Sequence, residues 1–289
     1  MRRMRFFLLV MAVFAFAPTT TNSLDGPPQR IVSLVPSVTE MIFAVGDSNR
    51  LVGVSSYDRF PPEVSRITRV GGLLDPNVEA ILALKPDFVI AYHTQTELKQ
   101  RLDRVGIAYY AYEHRTLADI TMTIRAIGAR IGSAARAETL AGDIERAIAM
   151  IRTSASTLPH PRTMLVFGRD PSSLRNVNAS GGYGFLHDML EAAGGDDVFG
   201  DVKQESVQAS TEMILARRPE VIIELRYGEA MKTADAAREL RAWDALGSIP
   251  AVKNRRVYML TGDEFVVPGP RVVYAIRQLA RTLHPEIRW

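Results

Sequence analysis

The chain is 289 residues long, 47% hydrophobic and 23% charged, with no cysteine and a formal charge of +3. It is long enough for two domains with separate cores and too apolar for disorder, and it excludes disulfides, thiolate metal sites and a cysteine nucleophile. Arg2, Arg3 and Arg5 account for the whole net charge, so the remainder is balanced and offers no basic stripe for nucleic acid.

Residues 1–23 read as a secretory signal. The three arginines precede an unbroken apolar run of 12 residues, Phe6 to Ala17. A bilayer-spanning helix needs roughly 20 such residues. Ala15-Phe16-Ala17 and Thr21-Asn22-Ser23 are the candidate cleavage positions, and an uncleaved anchor is the alternative. A lipid-anchored form, which needs a cysteine at the cleavage point, is not expected. The expected location is the periplasm.

After the spacer Asp25 to Pro28, Arg30 to Leu34 reads as a strand. Ser37 and Glu40 have the spacing of a capping box, and the helix they open should run through Met41, Ile42 and Ala44 to a stop at Gly46. Leu51 to Val54 is the next strand. Asp75-Pro76-Asn77 opens a helix that Lys85-Pro86 closes, and Phe88 to Tyr92 and Tyr109 to Tyr112 are strands. Strands alternating with helices imply parallel sheets covered on both faces. Ser133 to Thr157 places Ala137, Leu140, Ala141, Ile144, Ile148 and Ile151 at helical spacing, a rod able to join two lobes. In the second half, Thr163 to Phe167, Val221 to Leu225 and Val257 to Leu260 read as strands, and Phe185 to Ala193 and Pro270 to Leu283 as helices. The expected architecture is α/β: two Rossmann-like lobes with parallel sheets, residues 29–132 and 159–289, joined by one long backbone helix over residues 133–158.

One segment occurs twice. NVEAILALKPDFVI at Asn77 to Ile90 returns as STEMILARRPEVII at Ser210 to Ile223, 133 residues later. Glu79/Glu212, Ile81/Ile214, Leu82/Leu215, Ala83/Ala216, Pro86/Pro219 and Ile90/Ile223 are identical. A duplication of this period implies two similar lobes with a cleft between them. Either glutamate alone is explained by the helix dipole, which favours an acid in the first turn by about 0.3–1 kcal/mol. The matched register of both is not, and such a pair suits a two-fold partner.

Ligands in open α/β sheets bind beyond the carboxyl ends of the strands. Tyr57, Tyr92 and Phe167 fall at three such ends and suit an apolar wall, and Arg169, Arg226 and Asp263 at comparable ends suit polar groups of a ligand. Gly181-Gly182-Tyr183-Gly184 precedes a helix and offers either free amides for an anion or an ordinary turn. The five histidines, at 93, 114, 160, 187 and 284, form no metal-ligand or catalytic spacing. A hydrolase using His93 with Asp263 or Glu264, or a bare-metal binder using His93, are the remaining alternatives.

RIVSLVPSVTE at Arg30 to Glu40, VGVSSY at Val52 to Tyr57, the segment Asn77 to Ile90 and AGGDDVF at Ala193 to Phe199 together resemble a known family. It comprises the substrate-binding proteins of bacterial ABC importers for cobalamin, ferric siderophores and haem. The resemblance covers Gln29 to the C-terminus and is strongest to the cobalamin branch, through VGVSSYDRFPP at Val52 to Pro62. It implies two α/β lobes bridged by one helix, a ligand held unchanged in the cleft and no cofactor beyond that cargo, cobalamin or an iron chelate. It further implies a monomer and a permease dimer whose arginines receive Glu79 and Glu212. Pro36, Ser37, Tyr57, Tyr92, Phe167, Arg169, Arg226 and Asp263 are the expected ligand residues. The chain departs from that branch in lacking cleft tryptophans: Leu73 and Ser206 stand at such positions, Trp243 lies in a charged helix-like stretch and Trp289 is terminal. Val267 stands where a basic residue is expected near Asp263. A ferric siderophore or haem is the alternative cargo.

Overall fold

A computed structural model of the chain describes residues 26–228 and 231–287. The signal expected over residues 1–23 and the terminal Trp289 lie outside the described residues. The first lobe carries β1 (Ile31–Ser33), α1 (Pro36–Ala44), β2 (Leu51–Val54), β3 (Thr68–Arg69), α2 (Val78–Ala83), β4 (Phe88–Tyr92), α3 (Thr96–Arg104), β5 (Ala108–Tyr112) and α4 (Ala118–Arg130). Its sheet runs β3-β2-β1-β4-β5, every pairing parallel. Helix α5 (Ala134–Ala155) follows. The second lobe carries β6 (Arg162–Gly168), β7 (Asn178–Ser180), α6 (Phe185–Ala192), β8 (Asp196–Asp197), β9 (Ser206–Gln208), α7 (Thr211–Arg217), β10 (Val221–Arg226), α8 (Thr233–Leu240), α9 (Pro250–Lys253), β11 (Val257–Thr261) and α10 (Val272–Leu283).

The second sheet runs β11-β10-β6-β7-β9 and corrects the expectation of a purely parallel lobe: β7 pairs antiparallel with both β6 and β9. The strands on the other side, β6, β10 and β11, are parallel.

Strands buried on both faces read as near-continuous apolar runs, because successive side chains go to opposite sides. Ile31 and Ile90 face one cluster, and Val32 and Val89 face the other. The inner cluster continues from Ile31, Ile42 and Ile124 through Ile144, Ile148 and Ile151 of α5 to Met189, Ile223 and Ile276 of the second lobe. Each such side chain contributes roughly 1.5–3 kcal/mol when fully buried. The 22 residues of α5, about 33 Å of helix, thus join the lobes through one shared core.

The duplicated segment forms the same device in each lobe. Asn77 caps α2 by accepting the Ala80 amide at 2.9 Å, and Ser210 caps α7 by accepting the Met213 amide at 3.3 Å. Lys85 and Arg218 leave these helices with φ of 48° and 50°. Asp87 accepts the Gln29 and Arg30 amides at the start of β1, and Glu220 accepts the Arg162 amide at the start of β6. Arg30 and Arg162 then donate back to the helix-end carbonyls of Leu84, Lys85 and Arg217.

The capping box at Ser37 and Glu40 does not form. Pro36 occupies the first turn, Val35 is the cap residue, and no side chain caps α1. The Glu40 carboxylate is drawn instead to Arg271, and the Ser37 hydroxyl to Tyr112.

Candidate functional site

The loops after the strands of one lobe meet the other lobe across a cleft. Tyr227 donates its hydroxyl to the Tyr57 carbonyl at 3.4 Å, and the Arg59 guanidinium lies 4.9 Å from the Tyr227 ring centre. Arg271, ahead of α10, donates to both Glu40 oxygens at 2.6 and 2.9 Å and to Glu264 at 3.0 Å, and its guanidinium lies 4.1 Å from the Phe60 ring centre. The Leu117 amide donates to Asp188 at 2.8 Å. Glu40 is buried, which raises its pKa despite the opposing pull of Arg271.

An aromatic array crosses the floor between the lobes. Tyr92 meets Tyr112 edge-on at 5.9 Å, Tyr112 stacks on His114 at 6.0 Å, and His114 meets Phe185 edge-on at 5.8 Å. Burial pushes the Tyr92 phenol up to about 12, the Tyr112 phenol further up, and the His114 imidazole down. These rings are therefore neutral walls at physiological pH. A cavity of about 380 Å³ opens between the lobes, lined by His114 and Arg115 from the first and by Phe167, Phe185, Glu205 and Ser206 from the second. A second cavity of about 240 Å³ lies at the ends of β6 and β10, against Phe167, Arg169, Glu224 and Arg226.

Tyr57 is tied through its carbonyl to Tyr227, Tyr92 heads the ring array, and Phe167 lines both cavities. Tyr57 is 54% exposed and lies flat over Gly72, where a Cβ would come within 2.5 Å of its ring. Pro36 opens α1 beside the buried Ser37, whose hydroxyl donates to the Tyr112 hydroxyl at 3.1 Å. Asp263 follows β11 and accepts the Gly228 amide at 3.0 Å. The Arg226 guanidinium lies 3.6 Å from the Glu239 carboxylate.

Arg169 differs from the rest. Its side chain is 1% exposed, and it donates to Glu224 at 2.7 Å and to the Glu239 carbonyl at 2.8 Å. The buried Trp243 donates to the same Glu224 oxygen at 2.5 Å. Arg169 and Trp243 thus belong to a buried network, and the expectation that Arg169 offers its charge to a ligand is corrected. The network needs both partners, because removing one leaves a buried charge unpaired.

The glycine run before α6 is committed elsewhere. Gly181 and Gly182 donate their amides to Glu205 and Val202, and a Cβ at either would overlap the backbone of Gln204 or Gly200. The first half of the run is a close-packed turn whose two amides are not available to an anion.

His93 is exposed and makes no side-chain hydrogen bond to Asp263 or Glu264 among the described residues, and Glu264 pairs with Arg271. Among the described residues, no group of three or more His, Asp or Glu is gathered to hold a metal ion. No described helix is long and apolar enough to cross a membrane.

Three contributors were invisible in the sequence. Gln95 accepts the Tyr92 amide and donates to the carbonyls of Gly72 and Leu73, tying the Tyr92 strand end to the loop under Tyr57. The Glu40–Arg271 pair joins residues 231 apart in the chain. Asp58 is 2% exposed, and neither carboxylate oxygen has a hydrogen-bond partner among the described residues.

Two α/β lobes on a shared core, facing each other across an aromatic cleft and joined by one long helix, define a bilobed ligand-binding protein. The chain belongs to the periplasmic binding protein family, whose profile matches residues 31–264. It is 31% identical to the vitamin B12-binding protein of Salmonella typhimurium over 256 residues, 88% of this chain and 90% of that one. The crystal structure of the periplasmic vitamin B12 binding protein of Vibrio cholerae superposes with a TM-score of 0.75 at 27% identity, covering 90% of this chain and 98% of that one. The periplasmic haem-binding protein of Roseiflexus sp. RS-1 superposes with a TM-score of 0.73 at 25% identity, covering 89% and 98%.

Proposed function

We propose that this chain is an exported receptor that captures a corrinoid, cobalamin itself or a close relative, in the inter-lobe cleft and delivers it unchanged to an ABC importer. The observation that carries the reading is the cleft wall. Phe167, Phe185, Leu186, His114 and Val266 line the inter-lobe cavity, with Tyr57 and Tyr92 at neighbouring strand ends, and this wall suits a broad, flat, largely apolar ligand. The vitamin B12-binding relatives support a corrinoid over other flat chelates. Pro36, Arg226 and Asp263 supply polar and shape contacts at the rim, and the buried Ser37 acts behind them through Tyr112.

Glu79 and Glu212 are the proposed permease contacts. Both are exposed in the first turn of duplicated helices, and the backbone and Ser210 around Glu212 hold its carboxyl below the usual range. Leu74, 91% exposed and five residues before Glu79, adds an apolar contact suited to a partner surface. The partner is a permease dimer whose two-fold axis matches the two lobes. The shared core makes lobe closure a small movement.

The test is titration of the purified protein with vitamin B12 and, separately, with haem, read by calorimetry and by the shift in melting temperature. Tight binding of vitamin B12 supports the reading. Binding of haem alone replaces the corrinoid with the alternative cargo, and no stabilisation by either contradicts the receptor role.

A further inference from the structure

Residues 55–61 form a strap between β2 and the opposite lobe. Three residues in it reach across: the Tyr57 carbonyl to the Tyr227 hydroxyl, the Arg59 guanidinium to the Tyr227 ring, and the Phe60 ring to the Arg271 guanidinium. Asp58 lies among them and points the other way, into the first lobe, with 2% exposure.

A buried carboxylate without partners is costly, and it either pairs or takes a proton. No cation pairs with the Asp58 carboxylate among the described residues, and the polar groups that act on it, the Thr39 hydroxyl and the Ser55 backbone, do not offset its burial. The nearby Thr39 hydroxyl of α1 acts on Asp58 but is also within bonding distance of Ser33 Oγ at 2.9 Å and the Val35 carbonyl at 3.3 Å, so its single proton has competing acceptors. Arg69 of β3 donates to the Ser55 carbonyl at 2.7 Å. The other charged or titratable groups that act on Asp58 are Glu40 of α1, itself buried, and the phenols of Tyr92 on β4 and Tyr227 from the opposite lobe. The Thr39 hydroxyl, the Ser55 backbone and Arg69 favour a charged Asp58, and burial outweighs all three.

We propose that the Asp58 carboxyl, as its neutral acid, is the positioning group that seats the 55–61 strap across the cleft, and that ionising it releases the strap and loosens the bound ligand. The ionised form places a second buried anion beside Glu40, and moving the strap outward is the direct way to hydrate it. That movement breaks the three cross-cleft contacts together and carries Tyr57 off Gly72. Burial pushes the Asp58 acid up to about 7, so the transition falls within the range a periplasm meets. The ligand part of this inference rests on the proposed function, whereas the strap part does not.

Hydrogen exchange of the ligand-free protein at pH 6 and pH 8, corrected for intrinsic rates, tests the strap. The Ser56 and Asp58 amides, which donate to the Gly71 and Ser55 carbonyls, are the reporters. Their protection should fall about tenfold at the higher pH in the native chain and stay constant in Asp58→Asn, which is near-isosteric and never charged. Vitamin B12 dissociation should accelerate over the same range in the native chain only. Exchange that is equally pH-dependent in Asp58→Asn, or flat in the native chain, overturns the proposal. The native chain alone decides if the variant does not fold. A pH-dependent strap in a protein that binds no corrinoid keeps this inference and removes the functional reading instead.

Discussion

At position 91 the first lobe buries an alanine, and at the equivalent position 224, 133 residues on, the second buries a glutamate. Both sit in the strand that follows the duplicated helix, and the strands, caps and clamps around them match. The difference propagates to the cleft edge. In the second lobe Glu224 gathers Arg169 and Trp243, and Arg169 reaches on to Glu239, so that edge is fixed by a buried ionic network. In the first lobe the edge is aromatic and apolar, and of two acids buried nearby Glu40 pairs with Arg271 while Asp58 has no ion-pair partner among the described residues. The sheets diverge on the same side, with parallel β2 and β3 in one and antiparallel β7 and β9 in the other. Duplication thus preserved the side that carries Glu79 and Glu212, and divergence shaped the side that lines the cleft.

The largest expected effect separates the two positions. Glu224→Ala leaves the buried Arg169 guanidinium with only the longer Glu239 pair and the buried Trp243 without its acceptor, and should cost about 3 kcal/mol in denaturant unfolding. Ala91→Gly removes only a methyl group and should cost about 1 kcal/mol or less. Equal losses would mean that the lobes are not stabilised differently. A second contrast is pH. Burial raises the Asp58 carboxyl from 3.8 to about 7, so between those values the folded chain keeps a proton that the unfolded chain has lost. Its contribution to stability therefore falls as pH rises from about 4 to about 7 and is level above, by up to about 4 kcal/mol. The difference between the native chain and Asp58→Asn in urea unfolding across that range isolates this slope from those of other groups.

Smaller effects probe the cleft and then the repeat. Tyr57→Ala removes a half-exposed ring and should weaken vitamin B12 binding about tenfold, roughly 1.4 kcal/mol, without lowering the melting temperature. Asn77→Ala and Ser210→Ala each remove a helix cap and should cost about 1 kcal/mol, alike in both lobes. Clearly unequal values would break the equivalence of the duplicated devices.

Much of this division was legible in the residues. Leu51 to Val54 and Phe88 to Tyr92 announce their strands to the residue, because runs buried on both faces are bounded by turn residues. The spacing of Ala137, Ala141, Ile144, Ile148 and Ile151 marks the face of α5 that the shared core buries. What escaped depends on distant partners. Glu40 looks like a cap residue until Arg271 arrives from 231 positions away. Arg169 looks like a loop cation until Glu224 and Glu239, 55 and 70 positions on, enclose it. The strands Asn178–Ser180 and Ser206–Gln208 are three residues each and largely polar, too short to show a period.

The central claim is that the repeated surface serves the transport partner while the unrepeated loops hold the cargo. Glu79→Ala combined with Glu212→Ala tests it most directly, because both side chains are exposed and their joint loss should cost no more than about 2 kcal/mol, too little to unfold the chain. Vitamin B12 affinity of the purified, folded double variant should equal that of the native chain, while ABC importer-dependent uptake by cells carrying it should be lost. A double variant that binds the vitamin more weakly, or that still supports normal uptake, would contradict the account.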